Sequence, residues 1–274
     1  MNEHQTNGND THILYYSPNG FRKAPNESMN RAALFGDGMF ETMVFTDGSI
    51  RFAKEHGERL KTGAKALHIT LSGLSTEDIE EFVRQHFPEK TDLRIRWTVF
   101  RSGLGKYTPL THEASDLIHI QDLDRPLKVK RKAYVSKTIT IYPSPWSHCK
   151  TLNALPYVMA NVERKERDMD EVILLDDQGF VSEAGSANVF WVKENVFYTP
   201  SLTCNCIAGV GRRKIIEALD NSGIPVIEGQ FSTKELSEAE QVFTSNVTGV
   251  AYLAKLEDWS YKTTPIPVVE RVFV

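Results

Sequence analysis

The chain has 274 residues, 41% of them hydrophobic, which is enough for a substantial core and predicts two subdomains. A formal net charge of −4, with acidic and basic residues interspersed, provides no basic surface for nucleic acids or anionic membranes, so a small-molecule partner is expected. Cys149, Cys204 and Cys206 form no CxxC pair, which predicts reduced thiols in a cytoplasmic protein and argues against a metal site.

The chain begins with a polar segment. Residues 1–12 lack the basic start and apolar stretch of a signal peptide and predict a flexible tail. No later run approaches the roughly 20 apolar residues that span a bilayer. A short strand is expected over residues 12–16. Residues 39–45 and 50–52 then predict two strands joined at Asp47-Gly48, a dipeptide that favours a tight hairpin.

Two amphipathic helices are predicted next. The segment AKEHGERLKTGAKAL has one apolar stripe, made of His56, Leu60, Ala64 and Leu67. Arg59 lies beside this stripe, where an arginine is ordinarily a surface residue paired with Glu55 or Glu58. Residues 77–87 carry a second apolar stripe and predict a purely structural helix.

A half-buried strand follows. In LRIRWTVF the residues alternate, with Leu93, Ile95, Trp97 and Val99 on one face. On the other face, Arg94 and Arg96 are expected to be solvated or paired.

The loop after this strand, FRSGLGKYTPLTHEAS, combines glycines with three candidate substrate-binding residues, Arg101, Lys106 and Tyr107. Substrate carboxylates are commonly held by cations on such loops. The alternative is a mobile hairpin whose cations face water.

The charged, proline-containing segment DRPLKVKRKA predicts a linker between two subdomains. The expected domains are an N-terminal α/β subdomain at residues 13–123, a linker at 124–133 and a C-terminal subdomain at 134–274. In the second subdomain, residues 137–142 predict a strand. DEVILLDDQGFVSEAGSANVFWVKENVFYTP predicts a meander of four further strands.

Three features of the second subdomain point to one chemistry. Lys150 opens a predicted helix, Glu183 stands where an apolar strand pattern breaks, and Gly209, Val210 and Gly211 open another helix. A helix N-terminus with glycines suits a phosphate, and a buried carboxylate needs a cation. An amine, a carboxylate and a phosphate site are what a protein must supply to hold pyridoxal 5′-phosphate (PLP). The amine forms a Schiff base and the carboxylate keeps the pyridine nitrogen protonated.

Four segments carry a family resemblance: LFGDGMFETMVFTDGSIRFAKEHGERL, KTLNALPYVMA, DEVILLDDQGFVSEAGSANVFWV and YTPSLTCNCIAGVGRR. In this order they resemble the signatures of the class IV, fold type IV, PLP enzymes, from about residue 30 to about residue 250. That family includes branched-chain and D-amino acid aminotransferases and aminodeoxychorismate lyases. The resemblance implies an α/β (α+β) protein of two subdomains with the D-amino acid aminotransferase-like fold, the cofactor between the subdomains, and a homodimer.

The resemblance also assigns residues. It makes Lys150 and Glu183 catalytic, and Arg59, in the pattern H-x-x-R-L, a phosphate ligand with Gly209, Val210 and Gly211. Ser245 and Asn246 align with a second phosphate-contacting turn, although both residue types also cap turns.

Three functions remain open at this point. The first is an aminotransferase acting on a small amino acid. The second is aminodeoxychorismate lyase, favoured by the RSGLGKYTP loop and by the missing hydroxyl at Gly211. Lys106 departs from the lyase pattern, because that branch has arginine there and lysine lacks its bidentate fork. The third is a non-catalytic protein that binds a phosphate ligand without using Lys150.

Overall fold

The computed structural model describes residues 12–17, 20–23, 30–88, 92–103, 106–125 and 127–274. The predicted tail lies outside these residues except for His12, and so do residues 104 and 105 of the candidate substrate loop. The chain divides into two compact units, with the boundary between Asp124 and Arg125.

The first unit contains a six-stranded antiparallel sheet of strand order β2-β1-β6-β5-β3-β4. Its strands are β1 (His12–Ser17), β2 (Gly20–Lys23), β3 (Gly38–Thr46), β4 (Ser49–Ile50), β5 (Leu93–Arg101) and β6 (Ala114–Asp122). Its helices are α1 (Arg31–Phe35), α2 (Ala53–Ala66) and α3 (Thr76–His86). The predicted hairpin is confirmed: β3 and β4 pair through Phe45 and Ile50, and Asp47 and Gly48 adopt φ values of 50° and 77°.

One face of this sheet packs against α2 and α3. The predicted alternation of β5 is confirmed, because Leu93, Ile95, Trp97 and Val99 are all buried in this core. The opposite face differs from the expectation. Arg96 is half-buried there, with its guanidinium carbon 3.6 Å from the centre of the Phe40 ring. Burial, aided by the charge of Arg94, lowers the pKa of Arg96 to about 10.

The second unit contains two sheets, of strand order β10-β9-β8-β16-β17 and β13-β12-β11-β14-β15-β7. The strands of the first are β8 (Ala133–Ile141), β9 (Glu171–Asp176), β10 (Val181–Ala184), β16 (Lys255–Leu256) and β17 (Trp259–Ser260). Those of the second are β7 (Val129–Lys130), β11 (Asn188–Lys193), β12 (Val196–Pro200), β13 (Val226–Gly229), β14 (Gln241–Asn246) and β15 (Gly249–Leu253). The helices are α4 (Leu155–Glu166), α5 (Val210–Asn221), α6 (Thr233–Ser237) and α7 (Pro267–Glu270), with 3-10 turns at Leu202–Cys204 and Arg271–Phe273.

The predicted four strands are present, but the prediction of a single meander is wrong. The chain changes sheet between β10 and β11, so β9 and β10 pair in one sheet while β11 and β12 pair in the other. Strand β8 begins at Ala133, within the segment predicted as a linker, because residues 133–135 pair in parallel with β9. Gly185 lies at the change of sheet, where an added Cβ would lie 2.7 Å from a Val172 methyl group.

Within the described ranges, none of the helices combines the length and the hydrophobicity needed to cross a bilayer. In the same part of the chain, no three histidine, cysteine or acidic side chains are grouped so that they could hold a metal ion.

Candidate active site

The candidate site is built in the second unit by the segments before α4, along β10 and before α5. Lys150 lies in the irregular segment that leads into α4 and is partly buried. The neighbouring Cys149 is 5% exposed, and its carbonyl accepts from the Thr151 N–H at 3.0 Å. This tight turn fixes the backbone from which the Lys150 side chain extends.

Glu183 lies on β10 and is 3% exposed. Its Oε1 accepts a hydrogen bond of 2.6 Å from the Tyr157 hydroxyl, and both of its carboxylate oxygens lie 3.3 Å from the Ile207 backbone nitrogen, which donates to them. Burial raises the pKa of Glu183 to about 7, although these donors and the charges of Lys150 and Arg212 act in the opposite direction. The carboxylate therefore lies close enough to Lys150 for that charge to lower its pKa. The net pKa is still raised, so a further cation beside Glu183 would stabilise its ionised form.

This burial gives a testable pH dependence in the apoprotein. The folded-state pKa of Glu183 is raised from 4.5 to about 7, so the folded state binds the proton more tightly than the unfolded state. The contribution of Glu183 to the free energy of unfolding is greatest below about pH 4.5. It falls by about 3 kcal/mol as the pH rises through 7. Glu183→Gln should abolish this fall. The measurement is the free energy of unfolding in urea at about pH 5 and about pH 8.

The matched control is Glu166→Gln, on the exposed end of α4, which should keep the pH dependence of the parent. Equal pH dependence in the parent and in Glu183→Gln would show that the pKa of Glu183 is not raised in the folded state.

The N-terminus of α5 begins at Val210, with Gly209 as its N-cap and no side chain capping it. The first N–H groups of a helix have no acceptor within the helix, so they can bind an anion. Both glycines are needed for space. A Cβ at Gly209 would overlap Asn188 Oδ1, and one at Gly211 would lie 2.9 Å from the Asn246 carbonyl oxygen.

Ser245 and Asn246 end β14 beside this helix start. Ser245 is 1% exposed, and its Oγ has no hydrogen-bond partner among the described residues. The same Oγ lies 3.2 Å from where a Gly211 Cβ would be. Asn246 Oδ1 instead accepts from the backbone and hydroxyl of Thr248, at 2.9 and 2.6 Å. The Asn246 side chain therefore caps a turn, and its predicted phosphate contact stays a prediction.

These features fit PLP. A buried hydroxyl without a partner beside open helix N–H groups matches a phosphate, and a buried carboxylate with a raised pKa matches a protonated pyridine nitrogen. The structure thus brings Lys150, Glu183, Gly209, Val210, Gly211 and Ser245 into one unit, on segments that converge on the start of α5.

Arg59 lies in the first unit, on α2. Its Nε donates to Glu41 Oε1 at 2.8 Å and its Nη2 also bonds to this carboxylate, while His56 Nδ1 lies 2.6 Å from Glu41 Oε2. Burial opposes the ionisation of Glu41, but Arg59 and His56 outweigh it and lower its pKa to about 2. Arg59 is therefore held in a fixed orientation by a buried carboxylate, and its contact with phosphate remains a prediction.

The predicted substrate-binding residues differ in their surroundings. Arg101 is 7% exposed and donates to both Asp37 oxygens at 3.3 and 3.0 Å and to the carbonyls of Leu67 and His68. Tyr107, in contrast, is 89% exposed, and Lys106 is also exposed. The structure does not bring Arg101 together with Lys106 and Tyr107 at one surface, and the role of all three in substrate binding stays a prediction.

Sequence reasoning missed three residues that organise these sites. Tyr157 and the Ile207 N–H reach Glu183 from elements distant in the sequence. Arg31 donates to Asp37 at 2.7 Å and to the Lys106 carbonyl at 2.7 Å, so it holds the backbone of the candidate loop at Lys106. No local pattern marks any of them.

Comparison with known proteins identifies the family. The sequence profile described as "Amino-transferase class IV" matches residues 38–254. The chain belongs to the class IV aminotransferase family. This confirms the family predicted from the four sequence segments.

Several class IV relatives align with most of the chain. A putative branched-chain-amino-acid aminotransferase of Methanocaldococcus jannaschii is 30% identical over 225 residues, covering 80% of this chain and 76% of that protein. A D-alanine aminotransferase of Bacillus licheniformis is 28% identical, covering 80% and 78%. An aminodeoxychorismate lyase of Vibrio harveyi is 26% identical, covering 81% and 84%. The class IV relatives therefore include both activities considered above.

The fold is confirmed by a solved class IV structure. The branched-chain aminotransferase of Thermoproteus uzoniensis, determined with norvaline, matches with a TM-score of 0.84 at 22% identity, covering 95% of this chain and 93% of that one. The mixed α/β architecture of fold type IV is thus shown for this chain.

Proposed function

We propose that this protein is a PLP-dependent aminotransferase that acts on a small amino acid, with Lys150 as the residue that forms the Schiff base. The observation that carries the proposal is the buried Glu183. Its carboxylate is 3% exposed, senses the charge of Lys150 and has a pKa raised to about 7 by burial. A protonated pyridine nitrogen is the cation that would stabilise it.

The chain's residues have separate tasks in this reaction. The cofactor supplies a ring that accepts electrons from the substrate carbon. Glu183 would accept a hydrogen bond from the ring nitrogen and so favour its protonated form. The Lys150 amine would attach the cofactor covalently, and as a free amine it would serve as the base for the proton at the substrate α carbon. The N–H groups at the start of α5 and the Ser245 hydroxyl would hold the phosphate.

The remaining predicted contacts belong to this proposal. Arg59 would add a guanidinium to the phosphate, an interaction that suits its planar donors. Lys106 and Tyr107 are exposed and would approach the substrate carboxylate from their loop. Arg101 would bind the substrate carboxylate with them, and its guanidinium is oriented by the Asp37 carboxylate, which also binds Arg31.

Aminodeoxychorismate lyase is the second candidate. In the loop that resembles the lyase branch, Lys106 and Tyr107 are held at their backbone, because Arg31 donates to their carbonyls at 2.7 and 3.5 Å. Gly211 also offers no hydroxyl to the phosphate. Non-catalytic binding of a phosphate ligand is the further alternative, and it would not use Lys150.

The test begins with an absorbance spectrum of the protein mixed with PLP, followed by borohydride reduction and peptide mapping. We expect the reduced label on Lys150. Amino acids of each hand are then added: formation of pyridoxamine phosphate supports the aminotransferase, and formation of pyruvate and 4-aminobenzoate from aminodeoxychorismate supports the lyase. A label on another lysine would overturn the proposal.

A homodimer is proposed as the assembly. Helix α4 exposes large apolar side chains at helical spacing, with exposed fractions of 67%, 53%, 44% and 42% for Leu155, Val158, Met159 and Val162. The helix predicted after Lys150 is present as α4, but this apolar stripe faces solvent in the single chain. An apolar stripe of this kind is typical of a surface that a second copy covers.

A substitution on this stripe tests the assembly. Met159→Glu places a charge in the centre of the stripe and should shift the protein from dimer to monomer in sedimentation velocity. Ile227→Glu is the matched control, since Ile227 is 45% exposed on β13, and it should remain dimeric. A parent that sediments as a monomer at all concentrations would contradict the homodimer.

The cytoplasm is the proposed location. Cys149, Cys204 and Cys206 are all buried free thiols, and burial raises the pKa of Cys206 to about 12. Unpaired thiols persist in reducing compartments, which supports this location.

A further inference from the structure

The first turn of α4 sends one side chain inward while its neighbours face solvent. Leu155 and Val158 are exposed, but Tyr157 turns toward the sheet and its hydroxyl lies 2.6 Å from Glu183 Oε1. Tyr157 is partly buried and packs against the core cluster that contains Tyr134 and Ala160. The tyrosine therefore contacts the one carboxylate on which the proposed chemistry depends.

We infer that Tyr157 is a positioning residue: its hydroxyl occupies Glu183 Oε1 and leaves Oε2 directed to the pyridine nitrogen of the cofactor. Oε1 receives the short bond from Tyr157, whereas Oε2, among the described residues, accepts from the Ile207 N–H at 3.3 Å. A carboxylate oxygen has two lone pairs, so Oε2 retains capacity for a strong acceptor bond. The inference rests on the proposed function, because it needs PLP at this site.

The position of Tyr157 is fixed by the helix that carries it. Asn161 lies one turn later on α4, and its Nδ2 donates to the Tyr157 carbonyl at 2.8 Å and to the Gly185 carbonyl at 2.9 Å. Gly185 follows β10 directly, so this amide ties α4 to the strand that carries Glu183. Two hydrogen bonds therefore hold α4 against the segment from Glu183 to Gly185. The Tyr157 hydroxyl binds its first residue and the Asn161 amide binds its last.

The chemistry of a tyrosine suits this task. Burial and the charge of Glu183 raise the pKa of Tyr157 far above its ordinary value, so the hydroxyl remains a donor at any working pH. A donor to a carboxylate favours the ionised form of that carboxylate. Tyr157 consequently opposes the effect of burial on Glu183 and helps to keep the negative charge that a protonated ring requires.

The chain offers a matched control for removing this hydroxyl. Tyr134 is 3% exposed, and its hydroxyl is buried without a hydrogen-bond partner in the described part of the chain. Tyr157→Phe and Tyr134→Phe thus each delete one buried oxygen atom from the same cluster. Only the first deletes a bond to Glu183.

The experiment measures two quantities. The first is the titration midpoint of Glu183 in the apoprotein, followed by NMR of protein labelled with ¹³C at the glutamate carboxyl and assigned with Glu183→Gln. The second is the dissociation constant of PLP. Tyr157→Phe should raise the midpoint by about one pH unit and weaken PLP binding by about tenfold. Tyr134→Phe should change neither quantity.

A double-mutant cycle separates positioning from a general structural effect. In the Glu183→Gln background, Tyr157→Phe should weaken PLP binding by clearly less than tenfold, because the carboxylate it acts through is gone. The same loss in both backgrounds would overturn the inference, and so would an unchanged Glu183 midpoint in Tyr157→Phe. Failure of the parent to bind PLP, with the midpoint shift still present, would instead overturn the proposed function and, with it, the role assigned to Oε2.

Discussion

Replacing Lys150 with alanine should lower the rate of amino transfer by at least about 10³-fold, because one side chain supplies both the covalent attachment and the proton transfer. The measurement is single-turnover formation of pyridoxamine phosphate from PLP-loaded protein and an amino acid. Binding of PLP should persist at reduced affinity, since Ser245 and the start of α5 are unchanged. The borohydride-stable label should disappear.

The control for this result is Lys165→Ala. Lys165 is exposed near the end of α4, the helix that Lys150 precedes, and its removal should leave both the rate and the label unchanged. Full activity of Lys150→Ala, or a label that persists on another lysine, would contradict the assignment. If PLP binding survives in Lys150→Ala and the parent shows no turnover, the non-catalytic alternative is favoured.

Replacing Glu41 with glutamine should lower the free energy of unfolding by about 3–5 kcal/mol. Glu41 is 1% exposed and lies between His56 and Arg59, so the substitution removes the negative charge that pairs with the mostly buried Arg59 guanidinium. The measurement is urea unfolding at neutral pH. Glu217→Gln is the control: it weakens an exposed ion pair with Arg213 and should cost less than about 1 kcal/mol.

The same carboxylate gives a pH dependence of opposite sign to that of Glu183. The pKa of Glu41 is lowered from 4.5 to about 2, so its stabilising contribution is present above about pH 4.5 and is lost as the pH falls toward 2. Acid unfolding of Glu41→Gln should therefore show a weaker pH dependence than that of the parent. A loss of stability no larger than that of Glu217→Gln would contradict the role of this buried pair.

Local patterns predicted most of the fold. The helix carrying Arg59, the hairpin at Asp47-Gly48 and the alternation of β5 follow from side-chain periodicity and turn chemistry, which depend on adjacent residues. The division of four strands between two sheets did not follow, because strand pairing is decided by distant partners such as β8 and β14. Strand β8 began earlier than predicted for the same reason.

The candidate site was predictable in part. Lys150 and Glu183 were predicted from the pattern of their segments and from the family resemblance. Both assignments stay predictions, and the burial of Glu183 agrees with the chemistry assigned to it. Tyr157 was not found, since a tyrosine in a helix gives no sign of the strand it contacts. Arg101 is mostly buried because Asp37 and two backbone carbonyls bind it, and none of these partners lies near it in the sequence.

The exposed stripe of α4 has a consequence for the energetics of the site. Ala160 is the one residue of α4 that is fully buried, so the helix gains little stability from the core of its own unit. Such an element opens locally more easily than the strands beside it, and its amide hydrogens should exchange faster than those of β9. A second copy covering the stripe would suppress this opening and keep Tyr157 against Glu183. Diluting the protein below the dimer dissociation constant would then lower its affinity for the cofactor before either unit unfolds.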